Sequence, residues 1–336
     1  MGILQSSLRS FLNGLSWIVG LLIGLLIISG VVMSLASPFG KSQGTVYSLK
    51  GDADFSRSPL PLSAPVILSI EIDGVIGTDH LKAKDIQRQL LASREGILSN
   101  NRVKAILLTI SSPGGTADDS YAIYSMLQEY KKQFNIPIYT YIQGMCASGG
   151  MMIASASDRI YTLPASLVGS VGVRIGPVLN FTEIMKTYGI GALTLTEGKF
   201  KDLLNPTKPF DEQAYACLTK SMASTYALFV DIVTKARPSL DKTALVEVYG
   251  AQVYAPEDAQ KLGYIDEANA TYGSVLRELA KTAKIEGPYQ VISAKKQNGF
   301  VEEFLNSDTS LLKGKIVHSF EGYHPALAGR ILCMHE

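Results

Sequence analysis

A serine on a glycine-rich turn is the strongest candidate for a reactive group in this chain. Ser148 lies in the run GMCASGG, which extends from Gly144 to Gly150. The preceding residues, PIYTYIQ, predict a buried strand, and the small and apolar residues that follow suit a helix. Ser148 is therefore predicted on a tight strand-to-helix turn, where unpaired helix N–H groups stabilise negative charge that develops as its hydroxyl attacks. The structural alternative is that small residues here serve only to bring strand and helix together.

Other nucleophiles and bases are less well placed. Cys146 offers a thiol two residues before Ser148, although a small buried residue at a strand end is the preferred interpretation. The four histidines lie far from Ser148 in sequence, which leaves a distant triad open but makes another base worth seeking. The three cysteines lack CxxC spacing, so neither a disulfide framework nor a zinc site is predicted, and no cofactor is expected.

The elements around Ser148 follow the order of a mainly parallel α/β sheet. Pro65–Ile72 and Val103–Ile110 are predicted strands, and the second runs directly into SSPGG at residues 111–115. Thr116 and Asp119 then form a predicted capping box at the start of a helix. Ligands in such folds gather where the strands end, so SSPGG could supply the backbone donors that a nucleophile at Ser148 needs.

Further candidate residues follow the Ser148 turn. Ser170 lies in a third glycine-bearing turn, SLVGSVGV, at residues 166–173. A strand is predicted near Ala192–Thr196, before the lysine-containing run EGKFKDLLNP at residues 197–206. A long helix is predicted over Asp211–Ala236, with an apolar stripe typical of core packing or of a subunit contact.

The amino-terminal region predicts a membrane anchor. Residues 15–36 carry no charge and, at ~1.5 Å per residue, form a helix of about 33 Å, which matches a bilayer core. A signal peptide cleaved after Ser34-Leu35-Ala36 is the competing interpretation, but the apolar run is longer than usual for one. The formal net charge of +1 gives no electrostatic argument for nucleic-acid binding.

Four motifs, taken together, resemble in order and spacing those of the short form of the signal peptide peptidase A (protease IV) family of Ser/Lys serine peptidases. In chain order they are SPGG, ASGG, GSVGV and EGKFKDLLNP. The resemblance covers roughly Pro65 to Leu279. It implies a Clp protease/crotonase-like ββα superhelical α/β fold, preceded by one N-terminal transmembrane helix. The implied organisation is a short tail (1–14), an anchor (15–36), a linker (37–64), a Ser/Lys peptidase domain (65–285) and an extension of unassigned role (286–336).

The resemblance also implies roles for individual residues. Ser148 would be the nucleophile, Lys201 the general base, Ser170 the hydroxyl that orients the lysine, and Gly114 or Gly115 an oxyanion-hole donor. A lysine takes up a proton only when it is neutral, and burial is the usual source of that state. Lys199 and Lys208 compete locally, and only the motif match favours Lys201. The alternative for Ser170 is a turn serine that bonds its own backbone.

The family resemblance implies a substrate, a location and an assembly. The substrates would be hydrophobic peptides such as cleaved signal peptides. The location would be the bacterial cytoplasmic membrane, with a single pass and an extracytoplasmic catalytic domain. The assembly would be a ring-like homo-oligomer, an octamer as in short-form relatives, in which Ser and Lys of one site come from neighbouring copies. A crotonase-like acyl-CoA enzyme and a non-catalytic membrane scaffold remain alternatives.

Overall fold

The computed structural model describes residues 2–36, 45–78, 81–296 and 332–334. The chain divides into two compact units, residues 1–44 and 45–336. The first contains helix α1, Gly2–Ala36. Within α1, Phe11–Gly30 has a mean hydropathy of 2.3 and is long and apolar enough to cross a membrane. Residues 37–44 of the predicted linker, and 297–331 and 335–336 of the predicted extension, lie outside the described residues.

The second unit is organised around a mixed β-sheet. Its strands, in chain order, are β1 (Thr45–Lys50), β2 (Val66–Asp73), β3 (Val103–Ser112), β4 (Gly114–Thr116), β5 (Ile138–Ala147), β6 (Arg159–Thr162), β7 (Leu167–Gly169), β8 (Val253–Tyr254), β9 (Gln290–Lys296) and β10 (Leu332–Met334). The strand order in the described sheet is β1-β9-β2-β3-β5-β7-β8, with β6 paired to β5, while β4 and β10 form a separate pair. The strands from β9 to β7 in this order run parallel, and β1 and β8 are antiparallel edges.

Helices cover both faces of the sheet. They are α2 (Ala83–Ala92), α3 (Ala117–Phe134), α4 (Gly149–Ala154), α5 (Thr182–Thr187), α6 (Glu212–Ala236), α7 (Lys242–Ala244), α8 (Pro256–Leu262) and α9 (Tyr272–Thr282), with a 3₁₀ turn at Gly96–Leu98 and a π-helical turn at Leu245–Tyr249. At the start of α3, the Thr116 hydroxyl accepts a hydrogen bond from the Asp119 N–H at 3.4 Å, at the position that the sequence predicted for the helix cap.

The core has two sides because successive strand residues point to opposite faces of the sheet. Along β2, Leu68 and Ile70 join the cluster that contains Ile123 and Leu127 of α3. Ile67 points the other way and joins the cluster that contains Leu276 of α9. Full burial of each such side chain contributes about 1.5–3 kcal/mol, so the sheet is fixed between two helical layers.

Two strands lie in regions that the sequence predicted to be a linker and an extension without an assigned role. Strand β1 falls within the predicted linker, and β9 falls within the predicted extension, yet the two pair with each other over six residues from Thr45–Lys296 to Lys50–Val291. Strand β9 also pairs with β2, which joins both segments to the sheet. Both strands thus belong to the same sheet as β2, although they lie outside the predicted peptidase domain of residues 65–285.

The prediction of a strand near Ala192–Thr196 is wrong. These residues form no strand, and the side chains of Leu193 and Leu195 are 84% and 85% exposed. The alternation of leucine and threonine suited a strand, but none of the described strands pairs with this segment.

The parallel arrangement places three glycine-rich segments at one edge. Strands β3, β5 and β7 end at SSPGG, at Ser148 and at Gly169, respectively. Because parallel strands share one direction, their carboxyl ends meet, as the sequence predicted for SSPGG and the Ser148 turn.

Candidate active site

Ser148 occupies a strained turn between β5 and α4. Its backbone has φ +53° and ψ −114°, and its side chain is buried at 1% exposure. A side chain in this left-handed region costs about 1–3 kcal/mol and persists only where surrounding structure holds it. The Met152 N–H donates to the Ser148 carbonyl at 3.0 Å, which begins the helix, while the Gly149 and Gly150 N–H groups have no acceptor within the helix.

The third glycine turn runs directly beside Ser148. The Ser148 N–H donates to the Gly169 carbonyl at 2.9 Å, and its Oγ donates to the Gly172 carbonyl at 3.3 Å. Ser170 lies between these two acceptors, is 4% exposed and also has a left-handed φ of +55°. The structure thus brings the segments of Ser148 and Ser170 together.

Hydrogen bonds fix the SSPGG loop against the segment after β2. The Ile76 N–H donates to the Gly114 carbonyl at 2.9 Å, and the Thr116 N–H donates to the Ile76 carbonyl at 3.0 Å. A Cβ on Gly115 would lie 1.9 Å from the Ile76 oxygen, so only glycine fits there. The Gly114 N–H donates to the Ser112 Oγ at 3.1 Å and is therefore already engaged.

The two candidate oxyanion donors are consequently not equivalent. Since the Gly114 carbonyl and the Thr116 N–H face Ile76, the N–H and carbonyl of Gly115 face the opposite side. On that side lies β10, which pairs antiparallel with β4 and places Cys333 opposite Gly115. Sequence reasoning missed this pairing; the short apolar run ILCM before His335 was the available signal.

The candidate lysines lie in an exposed segment, residues 174–211, here called the arm. Lys208 forms an ion pair with Asp202, and the Lys199 ammonium lies 4.6 Å from the centroid of the Phe200 ring. Lys201 is exposed, and its side chain makes no hydrogen bond or ion pair with any described residue of the chain. The structure therefore does not bring Lys201 into hydrogen-bond contact with Ser148 of the same chain.

Cys146 is a packing residue. It is completely buried at the end of β5, and burial raises the pKa of its thiol far above its ordinary value. The reactive thiolate is thereby suppressed. The interpretation of Cys146 as a small buried strand residue is confirmed.

The described residues offer no group of three or more His, Cys, Asp or Glu side chains positioned to hold a metal ion. The functional groups that converge at the carboxyl edge are instead a hydroxyl at Ser148, a second hydroxyl at Ser170 and the backbone groups of Gly115.

Comparison with known families identifies first the class of domain. The profile of the Clp protease family matches residues 69–168, which contain β2 to β6 and both the SSPGG and Ser148 turns. The described sheet and its glycine turns, together with this match, define a Clp protease/crotonase-like α/β domain.

The profile of peptidase family S49 matches residues 130–286. "Putative protease MJ0651" of Methanocaldococcus jannaschii is 32% identical over 189 residues, which cover 56% of this chain and 59% of that protein. "Putative signal peptide peptidase SppA" of Enterococcus faecium is 26% identical over 340 residues, which cover 97% of this chain and 95% of that protein. Over these residues the chain is similar to peptidase family S49 and to a relative that carries the name signal peptide peptidase SppA.

Among solved structures, a ClpP1 variant from Listeria monocytogenes is 16% identical, with a TM-score of 0.40, and the match covers 61% of this chain and 92% of that one. The chain spans 59% of the length of the M. jannaschii relative, so its match to that protein is partial.

Proposed function

We propose that this chain is a membrane-anchored serine endopeptidase that cleaves apolar peptides through an acyl-enzyme on Ser148. The observation that carries the proposal is the conformation of Ser148: a buried serine in a left-handed turn at the carboxyl edge, between two glycine loops. Similarity to peptidase family S49 over residues 130–286 supports the reaction class.

The proposed general base is Lys201 from a neighbouring copy of the chain. Within one chain Lys199 and Lys208 contact other groups of the arm, whereas the Lys201 side chain is exposed and unpaired among the described residues. A lysine base must be neutral, and burial is the usual source of that state, so the proposal requires that assembly buries the Lys201 amine near Ser148. Ser170 would then accept or donate the hydrogen bond that orients the Lys201 amine toward Ser148.

The arm has the composition of a subunit contact. It exposes a set of large apolar side chains, namely Leu179, Phe181, Ile184, Tyr188, Ile190, Leu193 and Leu195. The surface of a soluble monomer rarely exposes so many large apolar side chains together. A second copy of the chain is the occupant that would both cover this surface and deliver Lys201, which favours a ring-like homo-oligomer with heterologous contacts.

In the proposed reaction, the neutral lysine amine takes the Ser148 proton as Oγ attacks the scissile carbonyl. The oxyanion receives hydrogen bonds from the Gly115 and Gly149 N–H groups. The resulting ammonium then protonates the leaving amine as the C–N bond breaks, and water hydrolyses the ester by the same route. Removal of one such hydrogen-bond donor lowers kcat by about 10²–10³-fold.

The substrate would bind as an extended strand. The pairing of β10 with β4 demonstrates that the Gly115 edge accepts an antiparallel strand through its backbone groups. Strand addition gives affinity with little dependence on sequence, while alternate side chains enter pockets. Apolar peptides such as cleaved signal peptides are the proposed class, in line with the name of the E. faecium relative and with the candidate membrane span in α1.

The experiment compares the full-length chain with Ser148→Ala in cleavage of a fluorogenic apolar peptide. Ser155→Ala is a matched control, because Ser155 is also buried and donates to a backbone carbonyl, that of Met151, at 2.8 Å. We expect Ser148→Ala to abolish turnover and Ser155→Ala to retain it. Equal turnover by wild type and Ser148→Ala would refute the assignment.

A further inference from the structure

We propose that Ser112 is a positioning residue of this site, whose hydroxyl holds the loop carrying Gly115 at a fixed place relative to Ser148. The proposal rests on the proposed peptidase function, because it concerns the donor that stabilises the oxyanion. Ser112 itself makes no hydrogen bond to the Ser148 hydroxyl, which donates to the Gly172 carbonyl.

The hydroxyl of Ser112 bridges two segments. Ser112 is completely buried; its Oγ donates to the Gly74 carbonyl at 2.6 Å and accepts the Gly114 N–H at 3.1 Å. A hydroxyl has one proton to donate, and here it is committed to Gly74. The group therefore joins the turn after β2 to the first residue of β4.

The backbone of Ser112 contacts the nucleophile turn from the other side. Its Cα lies opposite Cys146 in the β3–β5 pairing, after a register shift between Ile110 and Ser112. A Cβ placed on Gly150 would lie 3.3 Å from the Ser112 carbonyl oxygen, so the first turn of α4 packs directly on this residue. Ser112 is thus the point where the Gly115 loop and the Ser148 turn meet.

Loss of this hydroxyl would act on the transition state rather than on substrate binding. Without it, the Gly114 N–H loses its acceptor, and the loop can relax until that N–H finds another partner. The Gly115 N–H is one residue away and would move with it. A displacement of about 1 Å at a catalytic group can cost on the order of 10²-fold in rate, whereas ground-state strand pairing tolerates such movement.

The test compares Ser112→Ala with Ser155→Ala in the full chain. Both variants lose a buried hydroxyl that bonds to backbone, but only Ser112 lies between the two turns. For Ser112→Ala we expect kcat per folded chain to fall by about 10²-fold and the affinity for a peptide boronate, which forms a tetrahedral adduct on Ser148, to fall in parallel. KM should stay within about twofold of wild type, since it reflects binding without the oxyanion. Ser155→Ala should leave all three values close to wild type.

Amide hydrogen exchange gives a readout that does not need catalysis. Exchange in the segment 113–116 should be about tenfold faster or more in Ser112→Ala, because the Gly114 N–H loses its acceptor. Unchanged exchange, or unchanged kcat and boronate affinity in a folded Ser112→Ala protein, would overturn the proposal. Failure of the wild-type chain to cleave peptides would instead overturn the proposed function, and the exchange result would still decide whether Ser112 holds the loop.

Discussion

At Ser148 the backbone adopts a conformation that non-glycine residues rarely take, and hydrogen bonds from both sides keep it there. The turn directs the hydroxyl toward the shared carboxyl edge of the strands. The present acceptor of the hydroxyl is the Gly172 carbonyl, a group that cannot take a proton. Activation therefore requires a base that the described part of a single chain does not place there.

The first prediction separates the lysines of the arm. Lys201→Ala should lower peptide turnover by about 10³-fold or more, because the general base is lost. Lys199→Ala should retain most of the peptide turnover, since the Lys199 ammonium packs over the Phe200 ring. Both residues lie on the arm surface, so neither change should lower the melting temperature. The reverse pattern of activities would transfer the role of base to Lys199.

Ser148, Ser170 and the SSPGG loop could be located from the sequence because each is a short motif at the end of a recognisable strand. The role of Ser112 could not, although it stands within SSPGG. Its hydroxyl bonds to Gly74, 38 residues earlier, and local patterns do not report such contacts. The preference for Gly115 over Gly114 as the proposed donor likewise required knowing that the Gly114 N–H bonds to Ser112 and that the Gly114 carbonyl faces Ile76.

At the scale of secondary-structure elements, charged side chains connect strands β1, β9 and β2 on one side of the sheet. Glu71 of β2 accepts from Lys50 of β1 at 2.7 Å and from Lys295 of β9 at 2.6 Å. Burial alone would raise the pKa of Glu71, but the hydrogen bonds and charges of Lys295 and Lys50 outweigh it and lower the pKa below 4.5. The carboxylate therefore stabilises the folded state above its unfolded pKa, and this contribution is lost as the pH falls through the lower, folded pKa.

The second prediction follows from that sign. Glu71→Gln should lower the free energy of unfolding by about 1 kcal/mol at neutral pH, the scale of partly exposed ion pairs. In strong acid, below the folded pKa of Glu71, the variant and wild type should be equally stable. Urea unfolding of both proteins at the two pH values checks this. A difference in unfolding free energy of the same size at both pH values would show that the Glu71 charge is not the cause.

The third prediction concerns β10. Because Leu332–Met334 pair with Gly114–Thr116, a substrate strand and this segment compete for one edge. An intramolecular competitor acts at an effective concentration on the order of millimolar. Removing residues 332–336 should therefore lower KM severalfold without changing kcat. Unchanged KM in the truncated protein would indicate that substrates use another edge.

Long apolar runs identified β2, β3 and β5 closely from the sequence, since buried parallel strands need apolar side chains on both faces. Strands β1 and β9 lack that signal: TVYSLK in the edge strand β1 leaves Val46 46% exposed, and QVISAKK in β9 ends in two lysines. The false strand at 192–196 has the converse cause. Local propensity favoured it, but no partner strand was available.

At the scale of the whole molecule, the described part of one chain does not complete the proposed Ser/Lys site. Ser148 is buried in the sheet domain, whereas Lys201 stands on an arm whose large apolar side chains are exposed. Assembly would bury that surface and deliver the amine in one step. Coupling activity to assembly in this way would keep an isolated chain inactive.

The most direct test of the central claim is complementation between two inactive variants. Ser148→Ala and Lys201→Ala chains are co-expressed with different affinity tags, mixed assemblies are purified through both tags, and peptide cleavage is measured. If each site takes Ser148 from one copy and Lys201 from the next, random mixing in a heterologous ring restores about one quarter of the wild-type activity. Mixed assemblies that contain both chains and show no cleavage would contradict the account.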